Sequence, residues 1–333
     1  MTGRGGRADY PTVRSGPDAG AVWHYGDPSR EQRDLEAAHS AGTVDLSHRE
    51  VLAVSGPDRL EWLHSLTTQH LSGLEPGTGT TAMILSPHGH IEHVLFAVDD
   101  GDTFWAHTEP GRVAALVAWL DSMRFMMRVE VTDRTADLGI VWAADAARAF
   151  DGVRRVATDS LGGAELFVPR DRVGEVLGEH RAGLWAYEAR RIAAGVPRIF
   201  VDTDHRTIPN EIGMPDGTGR LGPAVHLDKG CYRGQETVAR VHNLGRPPRR
   251  LTLLHLDGTV DALPELGDDL KLADRSVGRV GSSARHYELG PIALGLVKRN
   301  TPVDATLTVG EIAAGQQTLV DPEIGLHVRP NLR

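Results

Sequence analysis

Apolar and polar residues alternate along this chain in two rhythms, one helical and one extended. "SREQRDLEAAHSAG" (29–42) reads as a helix with Ser29 as N-cap and Gly42 as its stop. "REVLAVSG" (49–56) reads as a short strand ending at a Gly56-Pro57 turn. In "PDRLEWLHSLTTQHLSGL" (57–74), Leu60, Leu63, Leu66 and Leu71 recur at helical spacing and Pro57 suits a first helical turn. Two strands around Pro87-His88-Gly89 follow (81–101), then a strand at 103–109, an amphipathic helix at 109–125 and a strand at 128–135. The alternation repeats with strands at 138–143 and 164–169, a helix at 170–180, and a helix at 183–197 stopped by Gly195 and Pro197. Past "GRPPRRL" (245–251), read as a linker, short strands follow one another with Gly and Asp turns, which predicts an all-β, barrel-like unit. The fold class expected is α+β.

Composition narrows the class. A chain of 333 residues has room for two or three domains. Its 40% hydrophobic and 24% charged residues are the balance of a globular protein. A net charge of −9 gives no overall attraction to nucleic acid, and "RPPRR" (246–250) is short enough to be a solvated linker, so no stable nucleic-acid binding is expected. The first twenty residues lack the apolar core of a signal peptide and read as a flexible Gly/Arg/Pro tail, and no run of 18 apolar residues predicts a membrane span. One cysteine cannot form an internal disulfide, which fits a reducing, cytoplasmic setting.

That cysteine lies in "DKGCYRGQETVAR" (228–240). Lys229 and Arg233 stand two residues to either side of Cys231, and nearby cations favour a thiolate. A helix beginning at Gly234 would add a positive helix end. Gly230 and Gly234 allow a tight bend, and Gln235 and Glu236 can supply hydrogen bonds. A reactive thiol and a small packing residue both fit this context.

The string Lys229-Gly230-Cys231-Tyr232-x-Gly234-Gln235-Glu236, followed by Ala239-Arg240, resembles the hallmark of the YgfZ family, folate-binding relatives of the aminomethyltransferase (T-protein) of the glycine cleavage system. The resemblance runs from about Val44 to the C-terminus. It includes "VDLSHREVLAVSGPDRLEWLHSLTTQHLSGL" with Gly56 and Asp58, "RRIAAGVPRI" ahead of "IPNEIGM" (208–214), and "GPIALGLVKR" (290–299). It implies a three-lobed cloverleaf around a central folate cavity. Expected boundaries are a tail at 1–20, a first lobe at 21–125 completed by 185–246, an inserted middle lobe at 126–184, and the barrel at 247–333. It implies support of iron–sulfur cluster assembly or repair, and through client enzymes of tRNA modification, with assembly proteins or clients as partners.

The ligand implied is tetrahydrofolate or a derivative. A folate needs a flat slot, a carboxylate for the pterin N–H groups and cations for its acidic tail. The resemblance maps the pterin carboxylate to Glu165 in "GGAELFVP" and puts Tyr187 where T-proteins carry an arginine, while Arg191 and Arg240 are the basic candidates. Each has a plain alternative: a solvent-facing strand residue, helix packing, or surface arginines. Trp185 would point to another face. Where T-proteins carry a double aspartate with their catalytic carboxylate, the chain reads "GHIEHVLFA" (89–97), with Glu92 and His93. That departure speaks against glycine-cleavage aminomethyl transfer. His88, His90 and His93 do not share a strand face, so no metal is expected. The expected reactive pair is Cys231 with Lys229. A folate-dependent one-carbon transferase and a single-thiol redox protein remain the other readings.

Overall fold

The computed structural model describes residues 10–37, 40–213 and 224–323. Two five-stranded sheets and a closed six-stranded barrel share one continuous apolar core.

The first sheet runs in the order Gly79–Leu85, Ile91–Asp99, Thr103–Thr108, Glu50–Ser55, Glu130–Asp133, with antiparallel neighbours throughout. Four of its strands are mostly buried because both faces are covered, while the edge strand Glu130–Asp133 is largely exposed. Leu52, Ile84, Leu95 and Phe104 meet Trp62 and Leu63 of helix Arg59–Leu66 and Leu116 and Leu120 of helix Val113–Ser122. Val51, Met83, Val94 and Phe96 face the opposite way, into the shared core.

The second sheet is ordered Arg181–Ala182, Thr43–Asp45, Leu138–Ala143, Ala164–Pro169, Arg154–Val156. Helix Val173–Leu177 covers one side. The barrel closes in the order Arg249–Leu256, Gly290–Lys298, Arg275–His286, Asp269–Leu272, Leu307–Val309, Ile312–Thr318 and back to the first strand. Leu254, Leu270, Val280 and Leu307 fill it, while Leu251, Leu253, Ile292 and Leu294 join the shared core. Helix Leu184–Ala193 packs on barrel strands Arg275–His286 and Gly290–Lys298.

Several expectations change. Helix Pro28–Glu36 begins with Asp27, not Ser29, as N-cap: Asp27 Oδ1 accepts from the Arg30 N–H at 2.9 Å, and Pro28 takes the first turn. The helix expected at 170–180 is a 3₁₀ turn, Arg170–Arg172, leading into Val173–Leu177. The flexible tail does not extend to residue 20. The Asp18 side chain accepts both arms of the Arg198 guanidinium, at 2.6 and 2.7 Å, and lies 3.2 Å from His48. Residues 1–9 of that expected tail lie outside the described residues. The lobes also interleave: Glu130–Asp133, expected in the middle lobe, pairs with Glu50–Ser55, and Thr43–Asp45, expected in the first, pairs with Leu138–Ala143. Backbone pairing follows hydrogen-bond partners rather than sequence order.

Candidate functional site

The hallmark loop rests on a segment of the first sheet's helical layer. The Thr68 hydroxyl donates to the Ala224 carbonyl at 2.6 Å, and the His226 N–H donates to the Thr68 carbonyl at 2.9 Å. The Lys229 ammonium is buried and donates to three carbonyls, of His64, Thr67 and Gln69, the last at 3.2 Å. Those carbonyls lie at and just beyond the end of helix Arg59–Leu66, so the cation caps the negative helix end. Burial lowers Lys229 to about 8. The expected pairing of Lys229 with the Cys231 thiolate is thus replaced by a structural role, in which the hydrogen bonds of its ammonium go to backbone oxygens.

The neighbouring motif residues also hold the loop in place. Tyr232 is buried beneath the Lys229 ammonium, 5.1 Å from ring centroid to nitrogen. Arg233 lies 3.3 Å from Glu92 and 5.8 Å from the Trp119 ring centroid. Gly234 has φ +83° at the start of helix Gln235–Leu244, and a Cβ there would stand 2.5 Å from the Ser86 carbonyl oxygen. Cys231 is a free thiol and exposed. Burial, then the nearby Arg112 and Arg233, lower His93 to about 4, so it is neutral at pH 7, and its Nδ1 is buried without a hydrogen-bond partner.

Of the four folate candidates only Glu165 and Tyr187 share a cluster. Glu165 is buried. Arg155 Nη1 donates to its Oε2, His107 Nε2 lies 3.1 Å from the same oxygen, and Arg49 Nη1 is 3.9 Å from Oε1. Burial alone would raise the Glu165 carboxyl, but Arg155, His107 and Arg49 outweigh it and hold it well below the usual carboxylate range. Tyr187 belongs to the same cluster. It is buried, edge-on to Trp142 at 5.6 Å, its hydroxyl accepts from Arg49 at 3.3 Å, and burial raises it to about 12. Arg191 is buried elsewhere, as a clamp. It holds Glu188, Asp202 at 2.9 Å, the Val196 carbonyl at 2.6 Å and, from the barrel, Ser282 Oγ at 2.5 Å. Arg240 is exposed on a separate groove of about 760 Å³ beside His88, His90, Arg206 and Arg249.

Sequence reasoning missed Arg49, His107 and Arg155. Arg155 lies in a three-residue strand with no readable periodicity, and the pairing that sets it opposite Glu165 is a tertiary fact. Among the described residues, no group of three or more His, Cys, Asp or Glu is arranged to hold a metal ion, and no helix is long and apolar enough to cross a membrane.

Residues 23–143 match the family model of the GCVT N-terminal domain. An iron–sulfur cluster assembly factor IBA57 homologue, mitochondrial, from Coccidioides immitis is 25% identical over 320 residues, covering 80% of this chain and 74% of the relative. A tRNA-modifying protein YgfZ from Edwardsiella ictaluri is 30% identical over 132 residues, 38% of each chain. The chain is thus similar in part to YgfZ-type and IBA57-type proteins, with a GCVT N-terminal domain over residues 23–143. The solved aminomethyltransferase T of the glycine cleavage system from Bartonella henselae superposes with a TM-score of 0.74 over 93% of this chain and 94% of that one, at 17% identity, a likeness of fold.

The folate expectation meets an obstacle. The carboxylate assigned to a pterin is held by the protein's own cations, Tyr187 is closed into the same cluster, and Arg191 and Arg240 lie at two other places. As they stand, these residues do not fit a folate.

Proposed function

We propose that this protein is an accessory factor of iron–sulfur cluster assembly or repair, working in a reducing cytoplasm and supporting iron–sulfur enzymes, among them enzymes that modify tRNA. Cys231 is the group that meets the partner. One observation carries the reading: in the motif Lys229-Gly230-Cys231-Tyr232-Arg233-Gly234, the lysine, tyrosine, arginine and second glycine are all engaged in holding the loop, and the thiol is left exposed. A single cysteine cannot hold a cluster that takes four ligands, so its contact with one is shared with a partner or client. The names of the relatives point to the same processes.

Aminomethyl transfer is the weaker reading. His93 stands at the T-protein carboxylate position, and a neutral imidazole at pH 7 does not supply a carboxylate's charge. The protein is expected to release no ammonia from an aminomethylated carrier protein.

The test is complementation of a strain lacking its own copy. Wild type is expected to restore iron–sulfur enzyme activity. Cys231→Ser, folded to the same melting temperature, is expected not to. Full rescue by Cys231→Ser defeats the proposal.

A further inference from the structure

We infer that Arg155 occupies the pterin slot of this fold, so that the chain carries its own substitute for the folate head group. The inference stands apart from the role proposed for Cys231.

The argument begins with register. Strand Arg154–Val156 forms an edge of the second sheet, and Arg155 pairs directly across from Glu165. Paired residues on antiparallel strands project to the same face, so the guanidinium reaches the carboxylate without leaving the sheet. The first sheet closes over it. A Cβ on Gly79 would fall 2.0 Å from the Val156 carbonyl oxygen, so the two sheets touch at this point through a residue that has no side chain. Arg155 then bridges them. Its Nε donates to the Thr80 carbonyl at 3.0 Å and its Nη2 to Thr81 Oγ1 at 2.9 Å, with Thr158 Oγ1 at 3.5 Å, while Nη1 takes Glu165. The Phe96 ring centroid lies 5.3 Å from the guanidinium carbon, and that ring is itself stacked on His107. The side chain is fully buried.

The chemistry of the occupant matches that of the expected ligand. The 2-amino-4-oxopyrimidine ring of a pterin contains a planar N–C(NH₂)–N unit, a cyclic guanidine. A carboxylate accepts from that edge as it accepts from arginine, through parallel N–H donors in one plane. An aromatic face serves both as a lid. Glu165, Thr81, the Thr80 carbonyl and Phe96 thus form a receptor for a flat guanidine, and Arg155 fills it. Arg155 is the specificity-determining residue: it excludes the pterin while keeping the receptor intact.

Calorimetric titration of the full chain tests this, with tetrahydrofolate and with 6-methylpterin, which lacks the acidic tail. Wild type is expected to show no binding that Glu165→Gln abolishes. Arg155→Ala is expected to bind both compounds at least ten-fold more tightly than wild type, and Arg155→Ala/Glu165→Gln to lose that gain. Wild-type binding that depends on Glu165 overturns the inference, as does a folded Arg155→Ala with no gain. Should Arg155→Ala fail to fold, arginine-selective NMR of wild type decides. An Arg155 Nε–H signal unmoved by saturating tetrahydrofolate supports the inference, and one displaced by it overturns it.

Discussion

Gly234 and Gly89 meet backbone to backbone. A Cβ on Gly234 would lie 2.9 Å from the Gly89 α-carbon, and one on Gly89 would lie 2.8 Å from Thr237 Cβ. Both glycines have positive φ, +83° and +80°. The hallmark loop is therefore seated on the Pro87-His88-Gly89 turn through two missing side chains. Gly234→Ala must accept a left-handed backbone and a clash with the Ser86 carbonyl together. It is expected to cost about 2–4 kcal/mol in denaturant unfolding. A loss under about half a kcal/mol would show that the contact is not tight in solution.

Cys231 and Lys229 should separate cleanly. Because the thiol is exposed, Cys231→Ser is expected to change stability by no more than about 0.5 kcal/mol. Lys229→Ala strips the cap from three carbonyls and is expected to cost about 1.5–3 kcal/mol. The rate of Cys231 alkylation by iodoacetamide against pH should not fall in Lys229→Ala, since the ammonium is committed to the backbone. A clear slowing would restore the lysine as a thiolate partner.

His93 sets an acid limit. Its folded value of about 4 lies below the ordinary 6.5, so the unfolded chain binds more protons in that window. Its contribution is complete above pH 6.5 and is lost as pH falls toward 4. Replacing His93 with Gln should flatten the stability profile between those limits, seen as a smaller drop in Tm between about pH 6.5 and about pH 4.5 than in wild type.

Asp159 acts in the opposite direction. Burial raises its carboxyl to about 6, with Glu165 adding to the rise and Arg155 opposing it. Here the folded chain holds the extra proton, so stability falls as pH rises from 3.8 to 6. Asp159→Asn can still accept the Leu161 N–H and loses the charge. It is expected to stabilise the protein by up to about 3 kcal/mol at pH 7 and by little at about pH 4. Equal effects at both pH values would mean that the charge is not the cause.

Legibility differed by element. The strands at 138–143 and 164–169 and the barrel's start at Arg249 stand out in the sequence because turns bound their apolar runs. The three-residue strands Thr43–Asp45 and Arg154–Val156 do not, because so few residues show no period. The sixth barrel strand, Ile312–Thr318, was hidden by "AAGQQT", where only Ile312 and Ala314 face the barrel core. In the candidate site, the importance of "KGCYRGQE" was plain, yet the division of labour within it was not. Sequence proximity suggested that Lys229 serves Cys231, whereas the fold delivers the carbonyls of His64, Thr67 and Gln69 to the ammonium. Glu165 and Tyr187 lie in one cluster, joined by Arg49, which the sequence shows only as the first residue of the strand "REVLAVSG", with nothing to say that it reaches either of them.

The placement of Thr43–Asp45 bears on how such a chain can be cut. This strand lies second from the edge of a sheet whose remaining members come from residues 138–182. A gene fragment covering 126–184 would encode a sheet with a slot in it, exposing Leu138–Ala143 to strand capture by other chains. Transplanting that region into another scaffold therefore requires moving two separate coding segments at once, and a proteolytic nick between residues 45 and 138 should leave halves that stay clasped until denaturant parts them.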